Sequence, residues 1–346
     1  MNAQKSNVGA STAPKLVTIA VPVYKRLEYL PHVLKIVESQ DYPAIELLIS
    51  DNGMNGTKVR DIVQANYSRP FTFRQNPATV ELSAHFNQLV EVASGEYFIL
   101  LCDDDEISSN FVSELVQLLE RHPEASVGVA KQQIIDSKGA FVRESKDTLP
   151  ELLSGPDFIR GTWQKYEFNF ECFATVVMKT REVKVCDGYL GFTRGTGNDN
   201  ALLIKLCLNN YVVFSSNCVF RWRIDASSNG WSVPIQYLGA STREYLQFLD
   251  TDPVLRRFSA TQPAVWQELR NALVRNEWVT YLWRWRDIYQ SRLSAFQWVR
   301  AAFALPFIPA YYWRVASVLV ESAMDRVKRL LPGHYAPQKE GTWFKG

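Results

Sequence analysis

The 346-residue chain contains 47% apolar and 21% charged residues, which is typical of a globular protein with one large domain or one domain and an appendage. Its formal net charge of +2 argues against a general nucleic-acid binder. The five cysteines are odd in number, form no Cys-x-x-Cys pair and lie mostly among apolar residues. This argues against a disulfide framework or a zinc site and favours a reducing compartment.

The first half of the chain alternates strand and helix patterns after a polar segment, residues 1–15, that predicts a disordered lead-in rather than a signal peptide. We expect Thr57 and either Ser109 or Asn110 to cap helices. Repeated strand-helix units of this length predict an α/β fold with a mostly parallel, doubly wound sheet. The predicted elements are strands at 16–24, 45–50, 71–75 and 96–102 and helices at 27–39, 57–66, 82–93 and 110–121.

The second half of the chain begins with a predicted hairpin and ends in a helix-like region. A helix is expected from Asn198 or Asp199 to residue 208. The composition changes near residue 230, so we predict one domain over residues 16–230 and a helical, aromatic and basic region over residues 231–346. The other predicted elements are strands at 126–135, 140–144, 173–178, 211–215 and 219–223, with a turn at 136–139.

Residues 270–329 contain ten Arg or Lys residues and four Asp or Glu residues. Within them, residues 301–313 are apolar but are too few to span a bilayer, and Pro306 and Pro309 interrupt them. They could form a buried hairpin or lie in a membrane interface, with aromatic flanks and basic residues that anionic lipid attracts. We predict peripheral membrane contact through residues 295–330, at the inner face of the cytoplasmic membrane, with packing against the first domain as the alternative.

The acidic run, Asp103, Asp104 and Asp105, follows six apolar residues that read as a strand buried on both faces. Three adjacent carboxylates repel one another and lose solvation unless a cation compensates them. In an open α/β sheet, ligands bind at the carboxyl ends of strands. The pattern predicts a divalent-metal site that holds a phosphorylated ligand. The alternative is a solvated turn that caps the next helix.

Three other polar features also fall where they can reach the crevice at the strand ends. Residues 22–24 end the first strand, residues 51–53 end the second, and residues 197–200 open a later helix. Because the carboxyl ends of parallel strands meet at one edge of the sheet, we expect these segments to converge with the acidic run. The convergence of these segments supports a binding site more strongly than any one of the motifs does alone.

Two motifs at this separation resemble those of a known family. Residues 17–24 are similar to the opening strand of family 2 glycosyltransferases of the GT-A fold, and residues 93–105 resemble that family's "GEY…DxD" signature. The resemblance covers residues 16–225. It implies an inverting enzyme, a hexosyl- or deoxyhexosyltransferase, that uses a nucleotide-sugar donor and Mn²⁺ or Mg²⁺.

The resemblance also assigns roles to individual residues at the strand ends. Pro22 and Tyr24 would line the nucleotide pocket. Asp51 matches the acidic residue that contacts the base or ribose, with a turn-forming role as the alternative. Asp103 and Asp105 match the outer positions of the DxD motif, where one contacts the ribose side and the other holds the metal on the diphosphate. Hard oxygen ligands suit these cations on chemical grounds as well.

Four further site residues depend on matches that are less complete. Asp104 fills the variable middle position of the DxD motif and is counted with the donor-binding residues. Asp199 matches the base of the family's "ED" pair, in which Asn198 replaces the Glu, and the alternative is a simple helix cap. Asp225 stands where the family carries a His that helps to bind the metal or diphosphate, and we count it with Asp103 and Asp105 as a candidate metal ligand because its carboxylate could still ligate a divalent ion. Arg223 either neutralises the diphosphate or is a structural surface residue.

The predicted function is sugar transfer from a nucleotide-sugar to a hydroxyl group of a glycan, with a lipid-linked glycan of a bacterial surface polysaccharide as the favoured acceptor. Nucleic acid is not an expected partner. A sugar nucleotidyltransferase is a weaker alternative because residues 22–26 contain no glycine for a phosphate loop. A non-catalytic scaffold that binds nucleotides or partner proteins is the other alternative, suggested by Asn198 and Asp225.

Overall fold

The structure is a computed structural model that describes residues 13–146, 148–165, 167–168, 170–224 and 235–289. The predicted lead-in, Asp225 and residues 295–330 therefore lie largely or wholly outside the described residues. The chain up to Glu277 forms one compact unit, and a second unit begins at Trp278. The first unit thus extends beyond the change in composition near residue 230.

The described residues contain ten strands, and all of them join one sheet. They are β1 (Val17–Val23), β2 (Ile45–Asp51), β3 (Phe71–Gln75), β4 (Tyr97–Leu100), β5 (Glu106–Ile107), β6 (Ala125–Ile135), β7 (Phe141–Glu144), β8 (Leu152–Ser154), β9 (Val177–Lys179) and β10 (Tyr211–Arg223).

The strand order is β3-β2-β1-β4-β9-β6-β10-β5, with β7 beside β6 and β8 beside β10. The pairings make β1, β2, β3, β4, β6 and β10 mutually parallel, and the short strands β5, β7, β8 and β9 run antiparallel to their neighbours. From β1 the chain moves outward through β2 to β3, whereas β4 returns to the other side of β1. This reversal between β1 and β4 is where an open α/β sheet forms its binding crevice.

Helices cover both faces of the sheet. They are α1 (Leu30–Glu38), α2 (Lys58–Asn66), α3 (Leu82–Val92), α4 (Phe111–Arg121), α5 (Gly155–Ile159), α6 (Thr180–Val185), α7 (Asn198–Cys207), α8 (Ile235–Thr251), α9 (Pro253–Thr261) and α10 (Pro263–Tyr289).

Side chains alternate across the sheet and feed two apolar cores. Ile19 and Ile99 join the core that is shared with α1, α2 and α4, whereas Ala20 and Phe98 join the core that is shared with α3, α7, α8 and α9. Because β1 and β4 bury both faces, their sequences read as continuous apolar runs. The mostly parallel, doubly wound sheet that the sequence predicted is confirmed.

Within the described residues, no helix is both apolar enough and long enough to cross a membrane.

Some predicted elements differ from those observed. The two short strands expected around residues 211–223 are one strand, β10, whose pairing with β6 shifts register between Ser215 and Val219. Thr57 and Asn110 lie at the N-cap positions of α2 and α4, but neither side chain caps the helix. The side-chain oxygen of Asn110 instead accepts a hydrogen bond from Ser108, and its amide donates to the Asn217 carbonyl.

A buried ion pair joins α7 to the helices that follow the sheet. Lys205 Nζ lies 3.5 Å from Asp252 Oδ2, and the two side chains are 2% and 7% exposed. Asp252 also caps α9, because its Oδ1 accepts hydrogen bonds from the backbone N–H groups of Val254 and Leu255. One carboxylate therefore fixes both the start of α9 and its position against α7.

We expect Asp252→Ala to lower the free energy of unfolding by about 3–5 kcal/mol, because it leaves the Lys205 ammonium buried without its partner and removes the α9 cap. Urea unfolding followed by circular dichroism would measure the loss. Asp250→Ala is the control, because Asp250 pairs with Arg270 at a site where its side chain is 53% exposed. That change should cost no more than about 1 kcal/mol. Equal losses in the two variants would contradict the prediction.

Candidate functional site

The loops after β1 and β2 meet at the crevice beside the end of β4. Val23 O accepts a hydrogen bond from Asn52 on the β2 side, whereas Ala20 O accepts one from Leu101 on the β4 side. Backbone N–H and C=O groups alternate sides along β1, so the nitrogen of Pro22 faces the β4 side. At that level of the sheet β4 has already ended, because its last residue is Leu100. A proline is tolerated there because no ladder hydrogen bond is lost. Tyr24 follows and is 47% exposed at the crevice.

Asp51 is fully buried at the end of β2 and organises the next loop. Its two oxygens accept hydrogen bonds from the backbone N–H groups of Gly53 and Asn55 and from the amide groups of Asn55 and Gln75. Gly53 packs directly on the Tyr24 carbonyl, where a Cβ atom would lie 1.7 Å from the oxygen. The turn-forming role of Asp51 is thus observed, and its contact with a base or ribose stays a prediction.

The acidic run forms a turn between β4 and β5, and its three residues are 2–7% exposed. Pairing of β5 with the end of β10 brings Arg223 against it. The Arg223 backbone N–H donates to Asp105 Oδ1 at 3.0 Å, and its Nε donates to the Asp104 carbonyl at 2.7 Å. The same guanidinium bonds Glu106 and the Asp136 carbonyl. Arg223 is 5% exposed, so it is a buried residue that holds the acidic run.

Arg26, in the loop after β1, contacts the acidic run from the other side. Its Nη2 lies 2.6 Å from Asp104 Oδ2 and 3.4 Å from Asp103 Oδ1. No sequence pattern singles out Arg26, because basic residues after a first strand have no fixed spacing to a later acidic motif. The fold brings the two together by placing β1 and β4 side by side.

Burial raises the pKa values of two carboxyl groups in the acidic run. The pKa of Asp103 rises to about 7, mainly through desolvation and then through the Asp104 charge, while Arg26 acts in the opposite direction. The pKa of Asp105 is raised well above its usual range by desolvation and the Asp104 charge, against the hydrogen bond from Arg223. The run therefore favours added positive charge.

A divalent cation fits the chemistry of these carboxylates, because it prefers oxygen ligands and would offset their repulsion. Within the described residues, no group of three or more His, Cys, Asp or Glu side chains is arranged to hold a metal ion by itself. Mg²⁺ usually takes only one or two carboxylates together with water and substrate phosphates. Asp103 and Asp105, with the ligands of a bound diphosphate, would meet that requirement.

Asp199 lies in the first turn of α7 and is half-buried. The N-cap position belongs to Gly197, which has a left-handed φ of 82°, so the alternative that Asp199 is the cap is wrong. The charges of Asp199, Asp105 and Asp104 all contribute, after burial, to a raised pKa of the Cys172 thiol. Cys172 thus lies within the electrostatic reach of Asp199 and of the acidic run. That the two share one crevice stays a prediction.

Two contacts hold the segment around Asp199. Asn198 is buried, and its amide donates to Ser83 Oγ in α3 at 3.2 Å. Upstream, Thr193 Oγ1 donates to Glu244 Oε1 of α8 at 2.7 Å. These contacts place the first turn of α7 relative to α3 and α8. The Glu expected at position 198 by family resemblance is replaced by a residue with a packing role.

Sequence reasoning missed the supports of the crevice. Gln132, 2% exposed in β6, accepts hydrogen bonds from the backbone N–H groups of Glu171 and Cys172 and donates to the Cys172 carbonyl. A buried glutamine inside an apolar strand is the signal that could have identified it.

All five cysteines lie in the described part of the chain and none forms a disulfide.

Residues 18–184 match the family described as Glycosyl transferase family 2. This segment of the chain, just under half of it, belongs to that family. The match begins in β1 and covers the acidic run, and it confirms the assignment made from residues 17–24 and 93–105.

Two curated relatives of this family 2 chain are bacterial glycosyltransferases. It is 29% identical over 109 residues to abequosyltransferase RfbV of Salmonella typhimurium, covering 30% of this chain and 33% of the relative. It is 31% identical over 111 residues to the GalNAc(5)-diNAcBac-PP-undecaprenol beta-1,3-glucosyltransferase of Campylobacter jejuni, covering 30% of this chain and 34% of the relative. The alignments therefore span about a third of each relative.

Solved structures show the same fold at low sequence identity. S. aureus TarS 1-349 in complex with UDP-GlcNAc aligns with a TM-score of 0.61 at 14% identity, covering 96% of this chain and 99% of that one. Mannosyltransferase PcManGT from Pyrobaculum calidifontis, in complex with GDP-Man and Mn²⁺, aligns with a TM-score of 0.54 at 14% identity, covering 93% and 89%. These likenesses establish the GT-A architecture of the family 2 chain.

The raised pKa of Asp103 predicts a pH-dependent stability without metal. A carboxyl group whose folded-state pKa exceeds its unfolded value stabilises the protein below the unfolded pKa, and this contribution is lost as the pH rises through about 7. We therefore expect the Tm of Asp103→Asn, relative to that of the wild type, to rise by on the order of 5 °C when the pH is raised from about 5.5 to 8 in EDTA.

Differential scanning fluorimetry of both proteins at the two pH values would measure this difference. Mn²⁺ should raise the Tm of the wild type more at the higher pH, because protons then no longer compete for the carboxylates. A Tm difference between the proteins that is the same at both pH values would contradict the prediction.

Proposed function

We propose that this family 2 chain is an inverting, metal-dependent glycosyltransferase that transfers a sugar from a nucleotide-sugar to a hydroxyl group of a glycan. The observation that carries the proposal is the buried acidic run at the end of β4, next to the reversal between β1 and β4. Asp199 is the base that we expect at the same crevice. The carboxylates of the run suit a cation that binds a diphosphate. Asp199 lies apart from them on α7, as a separate proton acceptor requires.

The donor side of the crevice would bind the nucleotide and orient its diphosphate. Tyr24 presents an exposed ring beside the end of β1, and Asp51 holds the adjoining loop. Asp103 and Asp105 would hold Mn²⁺ or Mg²⁺. Asp104, which lies between them in sequence, is paired with Arg26 in the structure. A bound cation would offset the negative charge that develops on the leaving diphosphate. Arg223 contributes by fixing the backbone of the acidic run rather than by direct phosphate contact.

Asp199 would act as the general base toward the acceptor hydroxyl group. A base must lie within hydrogen-bond reach of the proton that it removes, and a half-buried carboxylate on the crevice satisfies this on acceptor binding. Attack from the side opposite the leaving diphosphate inverts the configuration at the anomeric carbon in a single displacement. The transition state has oxocarbenium character, as in glycoside hydrolysis.

We further propose a lipid-linked glycan as the acceptor. One relative is named for transfer to a substrate linked to undecaprenol through a diphosphate, and another is named an abequosyltransferase. The basic surplus in residues 270–329 is compatible with an acceptor at an anionic membrane surface. Synthesis of a bacterial surface polysaccharide at the cytoplasmic face of the membrane is the setting that accommodates both features.

A donor screen joined to one substitution tests the function. We expect one class among UDP-, GDP-, CDP- and dTDP-sugars to raise the Tm of the wild type only with Mn²⁺, since a ligand of the folded state stabilises it. Asp199→Asn should keep that stabilisation and lose turnover by roughly 10²-fold or more, because base catalysis contributes about that factor. Nucleotide release in the presence of acceptor glycans measures the turnover.

Asp61→Asn is the matched control for Asp199→Asn, because Asp61 also lies in the first turn of a helix but is exposed on α2. It should retain wild-type turnover. Turnover close to normal in Asp199→Asn would contradict its role as the base. Metal-dependent nucleotide binding without turnover on any acceptor would instead favour the non-catalytic scaffold.

Peripheral membrane contact through residues 295–330, which lie outside the described residues, is the remaining part of the proposal. Helices α8 and α9 share a buried core with the sheet, so a shortened chain that removes them would expose apolar surface. A chain ending at residue 289 retains them. We expect it to lose most of the wild type's binding to anionic vesicles in a flotation assay, with neutral vesicles as the control. Undiminished binding would contradict the membrane role.

A further inference from the structure

Two arginines contact the acidic run, and the structure holds them differently. The Arg223 side chain is 5% exposed, and its guanidinium bonds the Asp104 carbonyl, the Asp136 carbonyl and Glu106. The Arg26 side chain is 26% exposed and extends from the loop between β1 and α1. Its ion pairs are made with side-chain carboxylates, those of Asp104 and Asp103. Arg223 is therefore built into the turn, whereas Arg26 reaches it from the rim.

The carboxylate oxygens that Arg26 contacts belong to the group that a divalent cation would use. A guanidinium at 2.6 Å from Asp104 Oδ2 and 3.4 Å from Asp103 Oδ1 places a positive charge at the mouth of the proposed donor site. Two cations a few ångströms apart in a largely buried setting repel strongly. Arg26 in this position and a divalent cation at Asp103 would therefore disfavour each other.

We propose that Arg26 is the resident counter-cation of Asp103 and Asp104 in the absence of donor, and that it turns to the donor diphosphate when a divalent cation binds at Asp103. The inference rests on the donor site proposed above. It assigns to Arg26 two positions, one on the acidic run and one on the phosphates. Transfer between them would couple metal binding to donor binding.

The surroundings of Arg26 suit such a transfer. A planar guanidinium binds pairs of phosphate oxygens as it binds pairs of carboxylate oxygens. The acidic run and the diphosphate therefore satisfy the same N–H donors of Arg26. The Tyr29 ring lies 6.0 Å from Arg26 Cζ and 5.0 Å from Arg223 Cζ. This ring offers a face on which the guanidinium can remain near the crevice after it leaves the carboxylates. The diphosphate adds negative charge, so retaining Arg26 nearby is favourable.

The proposal makes the affinities for metal and nucleotide respond to Arg26 in opposite directions. When Arg26 occupies the carboxylates, the apparent affinity for a cation falls in proportion to the fraction of sites that are free. Removing Arg26 should therefore strengthen binding of the cation alone. It should weaken binding of a nucleoside diphosphate when the cation is present, because one phosphate contact is lost. A residue with a purely structural role would weaken both.

The test measures Mn²⁺ binding alone, by electron paramagnetic resonance of free Mn²⁺, and then UDP, GDP, CDP and dTDP binding at saturating Mn²⁺ by calorimetry. We expect Arg26→Gln to bind Mn²⁺ about fivefold more tightly and the preferred nucleotide about tenfold more weakly than the wild type. Lys25→Gln is the control, because it removes the same charge from the adjacent residue. Lys25 lies over the Tyr24 ring, with Nζ 5.1 Å from the centroid.

Arg26→Lys keeps the charge but loses the planar guanidinium group. It is the variant to measure if Arg26→Gln does not fold. It should retain the weak Mn²⁺ binding of the wild type and bind the nucleotide less tightly. Three outcomes would overturn the role of Arg26 but leave the donor site standing. They are an unchanged Mn²⁺ affinity in Arg26→Gln, a loss of both affinities in that variant, and equal effects of Lys25→Gln. A wild type that binds neither Mn²⁺ nor any of the nucleotides would overturn the donor site itself and this inference with it.

Discussion

The burial of three consecutive carboxylates at the end of β4 is the constraint on which the rest of this structure depends. Repulsion and desolvation raise the pKa values of Asp103 and Asp105, so the turn needs compensation from its surroundings. Arg223 supplies part of it through the short pairing of β5 with β10, and Arg26 supplies the rest from the loop after β1. A protein that required only a stable turn would gain from apolar residues here. The buried charge therefore supports the proposed binding role.

The order of the strands determines which segments share the crevice. Because β1 lies between β2 and β4, the loops that follow these three strands are neighbours, although residues 24, 53 and 103 are far apart in sequence. Gly53 allows the backbone of the second loop to approach the Tyr24 carbonyl directly. The donor side of the site is thus a consequence of parallel packing, and it requires no long excursion of the chain.

The helices after the sheet hold α7, which carries the proposed base. Glu244 of α8 binds Thr193 ahead of α7, and Asp252 at the start of α9 pairs with Lys205 near the end of α7. The helix that carries Asp199 is therefore held at both ends by residues beyond the region that matches the family.

The sequence by itself determined the sheet class, the position of the acidic run and the family, because buried parallel strands leave continuous apolar segments and strand ends mark ligand sites. It also placed Asp51 at a turn and Asp199 at the start of a helix. Only the tertiary structure decided which cations face the acidic run. Arg26 and Arg223 lie 77 and 118 positions away from the carboxylates that they contact, and no periodicity connects residues across such distances. Their pairing arises from strand order, which local sequence patterns do not encode.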